Sequence, residues 1–379
     1  MPKRITAADS PTIRLVVVTM DSHLASATSR ASQRLRADFP GLLLTMHAAD
    51  EWGSDPAALQ RCCDDISGAD IIVATMLFME DHFQPVLSAL QARRERCDAM
   101  ICAMSAAEVV RLTRMGRFSM DGQQGGPLAL LKRLRGAKKG TRTAGAEQMK
   151  MLRRIPQFLR FIPGTAQDVR AYFLTLQYWL AGSEDNVVNM VRFLIGRYAA
   201  GARASLRSNA KVAPPIDYPE VGVYHPRLRT RLCDSAQPLP KGGDQGTVGL
   251  LLLRSYLLAG NSAHYDGVIA ALEARGLRVI PAFAAGLDAR PAIEKFFRRE
   301  GKTAIDALVS LTGFSLVGGP AYNDSQAAED ALSALDVPYI AAHPVEFQTL
   351  EQWEGSERGL LPVESTIMVA IPELDGATG

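Results

Sequence analysis

The sequence has no long apolar run and no hydrophobic leader. None of its apolar stretches approaches the roughly 20 consecutive residues that a membrane-spanning helix needs. The start of the chain carries Lys3 and Arg4 but no apolar core behind them, so it lacks the pattern of a secretory signal peptide. These absences predict a cytoplasmic protein without a transmembrane segment.

Cysteine is scarce, and histidine pairs are missing. The five cysteines are an odd number, and no two have the CxxC spacing of a metal site or a redox motif. We therefore expect reduced thiols that lie mostly in the core. No metal is assigned to the four histidines without HxH or HxxH pairing, which are His47, His82, His225 and His343.

Charge is balanced rather than one-sided. The 379 residues carry a net charge of +2, with 47% apolar and 22% charged residues. This composition is typical of a soluble globular protein and gives no indication of a nucleic-acid or membrane partner. The length exceeds that of one ordinary hydrophobic core, so we expect two or three domains.

The chain does contain two stretches in which short apolar strands alternate with helices of ten or more residues. The strands are predicted at residues 13–19, 42–46, 69–76 and 99–103, and again at 247–253, 277–281, 307–311, 338–342 and 365–371. Such alternation predicts parallel sheets covered by helices on both faces. The expected fold class is α/β, with two doubly wound parallel-sheet domains joined by a helical neck.

The domain boundaries follow from changes in composition. Residues 1–110 are expected to form the first α/β domain. Residues 111–164 form a basic, glycine-rich segment whose only acids are Asp121 and Glu147. A helical neck is predicted over 165–212, a proline-containing linker over 213–246, and the second α/β domain over 247–379. The neck's aromatic residues at helical spacing are interpreted as core, namely Tyr172, Phe173, Tyr178 and Trp179.

The predicted final strand, 365–371, has no helix after it. Only a short Pro- and Gly-containing segment follows before the sequence stops at residue 379. Since a parallel sheet requires helices on both faces, this strand predicts a truncated second domain. The chain would then be the front part of a larger protein.

Four short motifs, in order along the chain, resemble the family of magnesium chelatase H subunits and cobaltochelatase large subunits. The motifs are VTMDSHL at 18–24, RFSM at 117–120, GNSAHY at 260–265 and IPELDG at 371–376. The resemblance extends over essentially the whole chain. Because H subunits of this family are several times longer, it implies an amino-terminal portion that is inactive on its own.

The resemblance also implies an activity. It implies ATP-dependent insertion of Mg²⁺ into protoporphyrin IX for chlorophyll or bacteriochlorophyll biosynthesis, with this chain as part of the porphyrin-binding subunit. The implied partners are an AAA+ ATPase subunit and an integrin-like subunit, which use the ATP. The chain itself has no Walker A pattern GxxxxGK[ST], in agreement with ATP being handled elsewhere.

The first candidate site residues follow the strand at 247–253. Doubly wound sheets bind ligands at the carboxyl ends of their strands, and Asn261 and His264 are expected there. The imidazole of His264 could accept a porphyrin N–H proton or ligate a metal. The alternative is that both residues simply cap the next helix.

Two further pairs follow predicted strands. Glu373 and Asp375 are porphyrin-binding candidates whose hard carboxylates also suit Mg²⁺, although a plain turn explains them equally well. Asp21 and His23 are a weaker candidate pair for a metal or for acid–base chemistry. The alternative for this pair is a helix N-cap at Asp21, with His23 as a loop residue. No residue is assigned a catalytic role.

The basic segment offers a docking surface. Lys138, Lys139 and Arg142 lie in its glycine-rich part, residues 136–145, where a mobile loop is predicted. They could bind the acidic face of a partner subunit or hold porphyrin propionates, and solvated loop charge is the alternative. Nucleic acid is not expected, because few aromatic residues interleave with the charges.

Three functions therefore remain open from the sequence. The first is a porphyrin-binding piece of a magnesium chelatase H subunit. The second is a docking or regulatory module of that complex without a substrate site of its own. The third is a free-standing sugar- or nucleotide-binding α/β protein, which rests on fold analogy alone.

Overall fold

A computed structural model describes residues 11–20, 22–53, 55–121, 155–319, 322–342, 344–345 and 348–378. The chain divides into two compact units, Met1–Asp217 and Tyr218–Gly379. No helix in the described ranges is long and apolar enough to cross a bilayer.

The first unit is built on a six-stranded sheet. Its strands are β1 (Ile13–Thr19), β2 (Leu42–Ala48), β3 (Ile71–Thr75), β4 (Ala99–Ala103), β5 (Arg114–Met115) and β6 (Phe118–Ser119). They are arranged in the order β2-β1-β3-β4-β5-β6. The first four are parallel, and the last two add an antiparallel hairpin at one edge. The four predicted strands are confirmed.

Helices cover this sheet. They are α1 (Ala25–Leu35), α2 (Pro56–Gly68), α3 (Glu80–Arg93), α4 (Ala107–Val110), α5 (Thr165–Leu180) and α6 (Glu184–Tyr198). Helix α2 begins as its sequence indicates, because Asp55 Oδ1 accepts the Ala57 N–H at 2.9 Å and Pro56 occupies the first turn.

The two long helices that were expected as a neck, α5 and α6, belong to the first compact unit. Glu184 at the start of α6 accepts from Arg30 Nε of α1 at 2.9 Å. The Tyr172 hydroxyl of α5 donates to the Cys102 carbonyl of β4 at 3.3 Å. Tyr172, Phe173, Tyr178 and Trp179 are all buried, so their interpretation as core is confirmed.

The sequence also predicts a helix over residues 105–114, and this prediction is largely wrong. Only Ala107–Val110 is helical, and Arg114–Met115 is a strand. The reason is Thr113, whose hydroxyl accepts the Cys102 N–H at 3.1 Å and donates to the Cys102 carbonyl at 2.9 Å. These bonds hold residue 113 beside β4 and turn the chain into the edge hairpin.

The second unit also has a six-stranded sheet. Its strands are β7 (Val221–Tyr224), β8 (Leu232–Cys233), β9 (Thr247–Leu253), β10 (Arg278–Ala284), β13 (Ala307–Ser310) and β16 (Tyr339–Ala341), in the order β16-β13-β9-β10-β7-β8. The first four in this order are parallel, and β7 and β8 are antiparallel. The linker expected over 213–246 is thus corrected, since it supplies two strands of the sheet. Four short strands pair outside it: β11 (Arg298–Arg299) with β12 (Lys302–Thr303), and β14 (Gly318–Gly319) with β15 (Tyr322–Asn323).

The helices of the second unit include α7 (Arg254–Ala259), α8 (Ala263–Glu273), α9 (Arg290–Ala292), α10 (Ser325–Leu335), α11 (Leu350–Glu354), α12 (Pro362–Glu364) and α13 (Ile371–Leu374). A π-helical turn, Ile293–Phe297, continues α9. Both units are α/β. Each sheet is mostly parallel and has antiparallel strands at one edge. The expected fold class is therefore confirmed.

The strand predicted at 365–371 is wrong. Residues Ser365–Ala370 form a π-helical turn that continues directly into α13. Buried residues recur here at Glu364, Met368, Pro372 and Asp375, which is helical spacing rather than the alternation of a strand. The inference of a truncated second domain therefore loses the strand on which it was based, although Thr378 forms an isolated parallel bridge with Ile340 at the edge of the sheet.

In each unit the strand order reverses at the first parallel strand of that unit, which is β1 in the first unit and β9 in the second. The first sheet runs β2-β1-β3-β4, and the parallel part of the second runs β10-β9-β13-β16. This is the flavodoxin-like arrangement, in which ligands occupy the crevice between the first and third strands at their carboxyl ends. The crevices lie between β1 and β3 and between β9 and β13.

Candidate functional site

The carboxyl ends of β9, β10 and β13 surround a small cavity of about 30 Å³. Its lining includes Leu253, Asp288, Thr312, Ser315 and Gly318. A volume of this size holds about one water molecule. Pockets that enclose a drug-sized ligand measure roughly 300–1,000 Å³, so this cavity does not enclose a macrocycle.

Asp375 reaches the same edge of the sheet from the last turn of the chain. Its Oδ2 accepts the Leu316 N–H at 2.7 Å, and its Oδ1 has no hydrogen-bond partner in the part of the chain that the structure describes. The residue is 2% exposed, and burial raises the pKa of the carboxyl group above its ordinary value, against the opposing effect of Ser315. Glu373, by contrast, is exposed.

A second unpartnered group lies close to this carboxyl. The buried Tyr339 hydroxyl has no hydrogen-bond partner among the described residues, and burial, together with the charge of Asp375, raises the pKa of Tyr339 to about 12 against the opposing effect of Ser310. Two unsatisfied oxygens in one interior are unusual, because each normally costs about 1–3 kcal/mol. Asp375 is therefore a buried carboxyl group that holds the loop after β13 in place, rather than a carboxylate presented to solvent.

The loop expected after β9 is mostly helical. Residues Arg254–Ala259 form α7, and Asn261 lies exposed between α7 and α8, donating its backbone N–H to the Tyr256 carbonyl at 2.8 Å. Ser262 occupies the N-cap position of α8 without a side-chain cap bond. Neither Asn261 nor His264 caps this helix, so that alternative is wrong.

His264 is half-buried in the first turn of α8. Its ring centroid is 3.9 Å from that of Tyr265 and 5.9 Å from that of Tyr256. The Nε2 atom is buried and has no hydrogen-bond partner within the described ranges. Burial lowers the pKa of His264, with Asp266 acting in the opposite direction, so the neutral ring is favoured. A neutral imidazole with a free nitrogen is suited to accepting a proton or a hydrogen bond.

A polar contact behind His264 was not predicted from the sequence. The Tyr224 hydroxyl donates to Asp266 Oδ1 at 2.6 Å and lies 2.8 Å from Ser262 Oγ. It ties β7 to the start of α8. The sequence signal was weak, because Tyr224 falls in the segment interpreted as a linker.

His225, the next residue, is fixed in one tautomer. Its Nδ1 accepts the Arg227 N–H at 3.2 Å, so Nε2 carries the proton and donates to Glu273 Oε1 at 3.2 Å. The ring is 1% exposed, and burial lowers its pKa despite the nearby Glu273. These hydrogen bonds give His225 a structural role between β7 and α8.

Of the proposed metal pair in the first unit, only His23 lies within the described residues. His23 is half-buried just before α1, and Asp21 lies outside the described residues. The N-cap position of α1 is Leu24, without a side-chain cap bond. Among the described residues, no group of three His, Cys, Asp or Glu side chains could hold a metal ion. Magnesium binding at Asp21 and His23 remains a prediction.

An opening in the first unit lies beside the edge strand β2. It is an open, polar groove of about 580 Å³ that includes His47, Arg61, Asp64 and Asp65 in its lining. His47 Nε2 is 2.9 Å from Asp65 Oδ2, so two of these groups already satisfy each other. The docking candidates Lys138, Lys139 and Arg142 lie outside the described residues.

Comparison with known proteins assigns the chain to a family. A family model described as CobN/Magnesium Chelatase matches residues 176–379, more than half of the sequence. The chain belongs to the CobN/magnesium chelatase family. A second model, a domain of unknown function called DUF3479, matches residues 14–173.

Members of the CobN/magnesium chelatase family named as H subunits are similar over nearly all of this chain. The magnesium-chelatase H subunit of Cereibacter sphaeroides is 55% identical over 98% of the chain, and that of Rhodobacter capsulatus is 51% identical over 96%. The chloroplastic magnesium-chelatase ChlH protein of Oryza sativa is 35% identical over 97%. The chain spans only 31%, 30% and 27% of these relatives, respectively.

A solved structure with a low degree of identity aligns along most of the chain. It is the catalytic subunit of cobaltochelatase from Mycobacterium tuberculosis, with 18% identity and a TM-score of 0.48, over 97% of this chain and 24% of that one.

Proposed function

We propose that the chain is the amino-terminal portion of the porphyrin-binding H subunit of a magnesium chelatase. The assembled enzyme would insert Mg²⁺ into protoporphyrin IX in chlorophyll or bacteriochlorophyll biosynthesis. The observation that carries this proposal is the 55% identity over 98% of the chain with a protein named as a magnesium-chelatase H subunit. Mg²⁺ and the porphyrin are substrates, and an AAA+ ATPase subunit and an integrin-like subunit in the cytoplasm supply ATP hydrolysis.

Within this proposal, three side chains at the carboxyl edge of the second sheet suit porphyrin contact. Asn261 and Glu373 are exposed, and His264 is half-buried, with part of its ring at the surface and its Nε2 atom in the interior. Asp375 is buried and holds the loop at Leu316, so its proposed role is to support that edge. Because the chain covers about a third of its relatives, we expect it to bind substrate without inserting metal.

Porphyrin titration tests the proposal. Deuteroporphyrin IX is added to the purified chain while the fluorescence of its three tryptophans, Trp52, Trp179 and Trp353, is recorded. Saturable quenching that weakens in the double variant Asn261→Ala, Glu373→Ala supports substrate contact at this edge. A linear, non-saturating response of the unaltered chain would place the substrate site elsewhere in the enzyme.

A docking or regulatory module without its own substrate site is the second candidate function. The size of the cavity at the carboxyl ends of β9, β10 and β13 favours it, because about 30 Å³ cannot enclose a tetrapyrrole. Co-purification with the ATPase and integrin-like subunits, abolished by changing Lys138, Lys139 and Arg142 to Glu, is the expected result. Co-purification that survives these changes would exclude docking through the basic segment.

A further inference from the structure

An unusual apolar surface lies just before helix α5 in the first unit. Residues 155–158 are helical and Leu159–Phe161 continue as a 3₁₀ turn. Three large apolar side chains are exposed to solvent here: Phe158 is 74% exposed, Phe161 84% and Ile162 47%. Exposed aromatic residues that cluster on one short element indicate a binding surface more often than scattered ones do.

The backbone under this surface is held in place. Ile155 and Leu159 are buried and anchor the opposite side of the turn. The Gln167 side-chain amide donates to the carbonyls of Leu159 at 2.8 Å and Ile162 at 2.6 Å. A surface that is already ordered loses little conformational entropy when it binds.

A cation accompanies the two rings. The Arg160 guanidinium lies 5.7 Å from the Phe161 ring centroid, and no carboxylate pairs with it among the described residues. Further positive charge is close, because Arg160 and Arg197, after burial, lower the pKa of Arg170. The nearby Asp168 is already engaged by Arg197 at 2.9 Å. The positive charge of this surface is therefore complementary to an anion.

We propose that Phe158, Phe161 and Arg160 form a capture surface for a flat, apolar dicarboxylate, namely a porphyrin with its propionates. Phe158 and Phe161 are three residues apart on a helical segment, and Cβ atoms at this spacing lie roughly 5–6 Å from one another, so one planar ligand can contact both rings. The guanidinium can pair with a propionate in a charge-assisted hydrogen bond. The identity of the ligand rests on the proposed function, and the capture surface consists of residues other than Asn261, His264 and Glu373.

Binding of deuteroporphyrin IX to the full 379-residue chain, followed by the Soret absorbance, tests this inference. The variant Phe158→Ala, Phe161→Ala should bind about tenfold more weakly, or lose one of two binding events. Phe78→Ala is the matched control, since Phe78 is 56% exposed in the same unit. Thermal unfolding verifies that each variant remains folded.

The dimethyl ester of deuteroporphyrin IX lacks the two propionate charges, so comparing it with the free acid measures the contribution of charge to binding. Arg160→Gln should weaken binding of the free acid about tenfold and leave binding of the ester unchanged. If the unaltered chain binds porphyrin and these variants bind it equally well, the capture surface is refuted and the proposed function stands. If the unaltered chain binds no porphyrin, the capture surface is refuted and the substrate site lies elsewhere in the enzyme.

Anionic phosphatidylglycerol vesicles provide the remaining control, because an exposed aromatic surface with a cation also suits a lipid headgroup. We expect no sedimentation of the chain with these vesicles. Sedimentation that is lost in Phe158→Ala, Phe161→Ala, with porphyrin binding unchanged, would overturn the inference in favour of a lipid surface.

Discussion

The carboxylate of Asp168 occupies the space that a side chain at Gly116 would need. A Cβ atom built on Gly116 would lie 2.7 Å from Asp168 Oδ2, and the glycine has φ of +57°. The same Oδ2 accepts the Arg117 N–H at 3.0 Å, while Oδ1 accepts from Arg197 and Tyr198. One buried acid thus links the edge hairpin to α5 and α6.

Gly116→Ala should destabilise the first unit by about 2 kcal/mol or more. The alanine would adopt a left-handed conformation and push against the Asp168 carboxylate, whose two oxygens are already held by hydrogen bonds. Urea unfolding measures the change in the free energy of unfolding. Gly53→Ala is the control, because a Cβ there meets nothing within 4 Å. Equal effects of the two substitutions would contradict the close contact.

The buried carboxyl of Asp375 should make stability fall as pH rises. Its folded-state pKa is raised above the ordinary value of 3.8, so between 3.8 and the raised pKa the unfolded chain releases a proton that the folded chain keeps. The free energy of unfolding then decreases through that window, by about 1.4 kcal/mol for each pH unit that separates the two pKa values. Below pH 3.8 this contribution is fully present.

The substitution Asp375→Asn tests this dependence. Asparagine retains an oxygen for the Leu316 N–H and does not ionise, so the stability of the variant relative to the unaltered chain should rise with pH above about 4. Urea unfolding over a pH series gives the comparison, with the exposed Glu373→Gln as a control. Parallel pH profiles for Asp375→Asn and the unaltered chain would mean that Asp375 titrates as it does in water.

His225 should make stability fall toward acid pH instead. Its folded-state pKa is lowered below 6.5, so as pH falls through 6.5 the unfolded chain takes up a proton that the folded chain does not. Stability should therefore decrease as the pH is lowered from above 6.5 to below it. Nuclear magnetic resonance titration of the ring gives the pKa directly, and His225→Gln should remove this part of the pH dependence. A ring pKa at or above the ordinary value would contradict the prediction.

His264→Phe should leave the fold intact and raise stability by roughly 1 kcal/mol. Phenylalanine keeps the ring packing on Tyr265 and removes the buried, unpartnered Nε2. His264→Ala is the informative comparison, because it loses the packing and should destabilise. A clear loss of stability in His264→Phe would show that Nε2 has a partner in solution.

Thiol reactivity should divide the five cysteines into two groups. Cys62, Cys97 and Cys102 are buried, and burial raises the pKa of each thiol. Cys63 and Cys233 are only half-buried. An aromatic disulfide reagent should therefore label at most these two thiols quickly in the folded chain and all five after unfolding. Rapid labelling of a third thiol would indicate an open core.

The sequence predicted the parallel core of both sheets because strand and helix periods differ. Thr247–Leu253 and Ala99–Ala103 have the predicted bounds, since uninterrupted apolar runs between turn signals suit buried strands. The N-cap of α2 at Asp55 was also predictable from the sequence, because its hydrogen bond with the Ala57 N–H joins residues two apart.

The segment 365–371 was misassigned because an apolar run of that length fits a strand or a buried helix. The helix signals were present, with Pro362 at the first position and Glu364 at the third, where Glu364 Oε2 accepts the Leu361 N–H at 2.9 Å. The β-branched residues Thr366 and Ile367 have a high strand propensity, which acts against these signals. Burial at every third or fourth residue, which only packing reveals, shows the helix.

The candidate site divides in the same way. Its location at the carboxyl ends of strands followed from the alternation of strands and helices, which local patterns determine. That Asp375 is buried and Glu373 exposed, although two residues apart, was not predictable, because it depends on the distant Leu316 N–H.

The sequence by itself determined the two α/β sheets, the family resemblance and the buried aromatic helix faces, because these depend on residue order and local periodicity. Tertiary structure alone decided the antiparallel edge strands, the helical segment at 365–374 and the exposure of Phe158 and Phe161. These features depend on which distant groups supply hydrogen bonds and burial, and no local pattern encodes that.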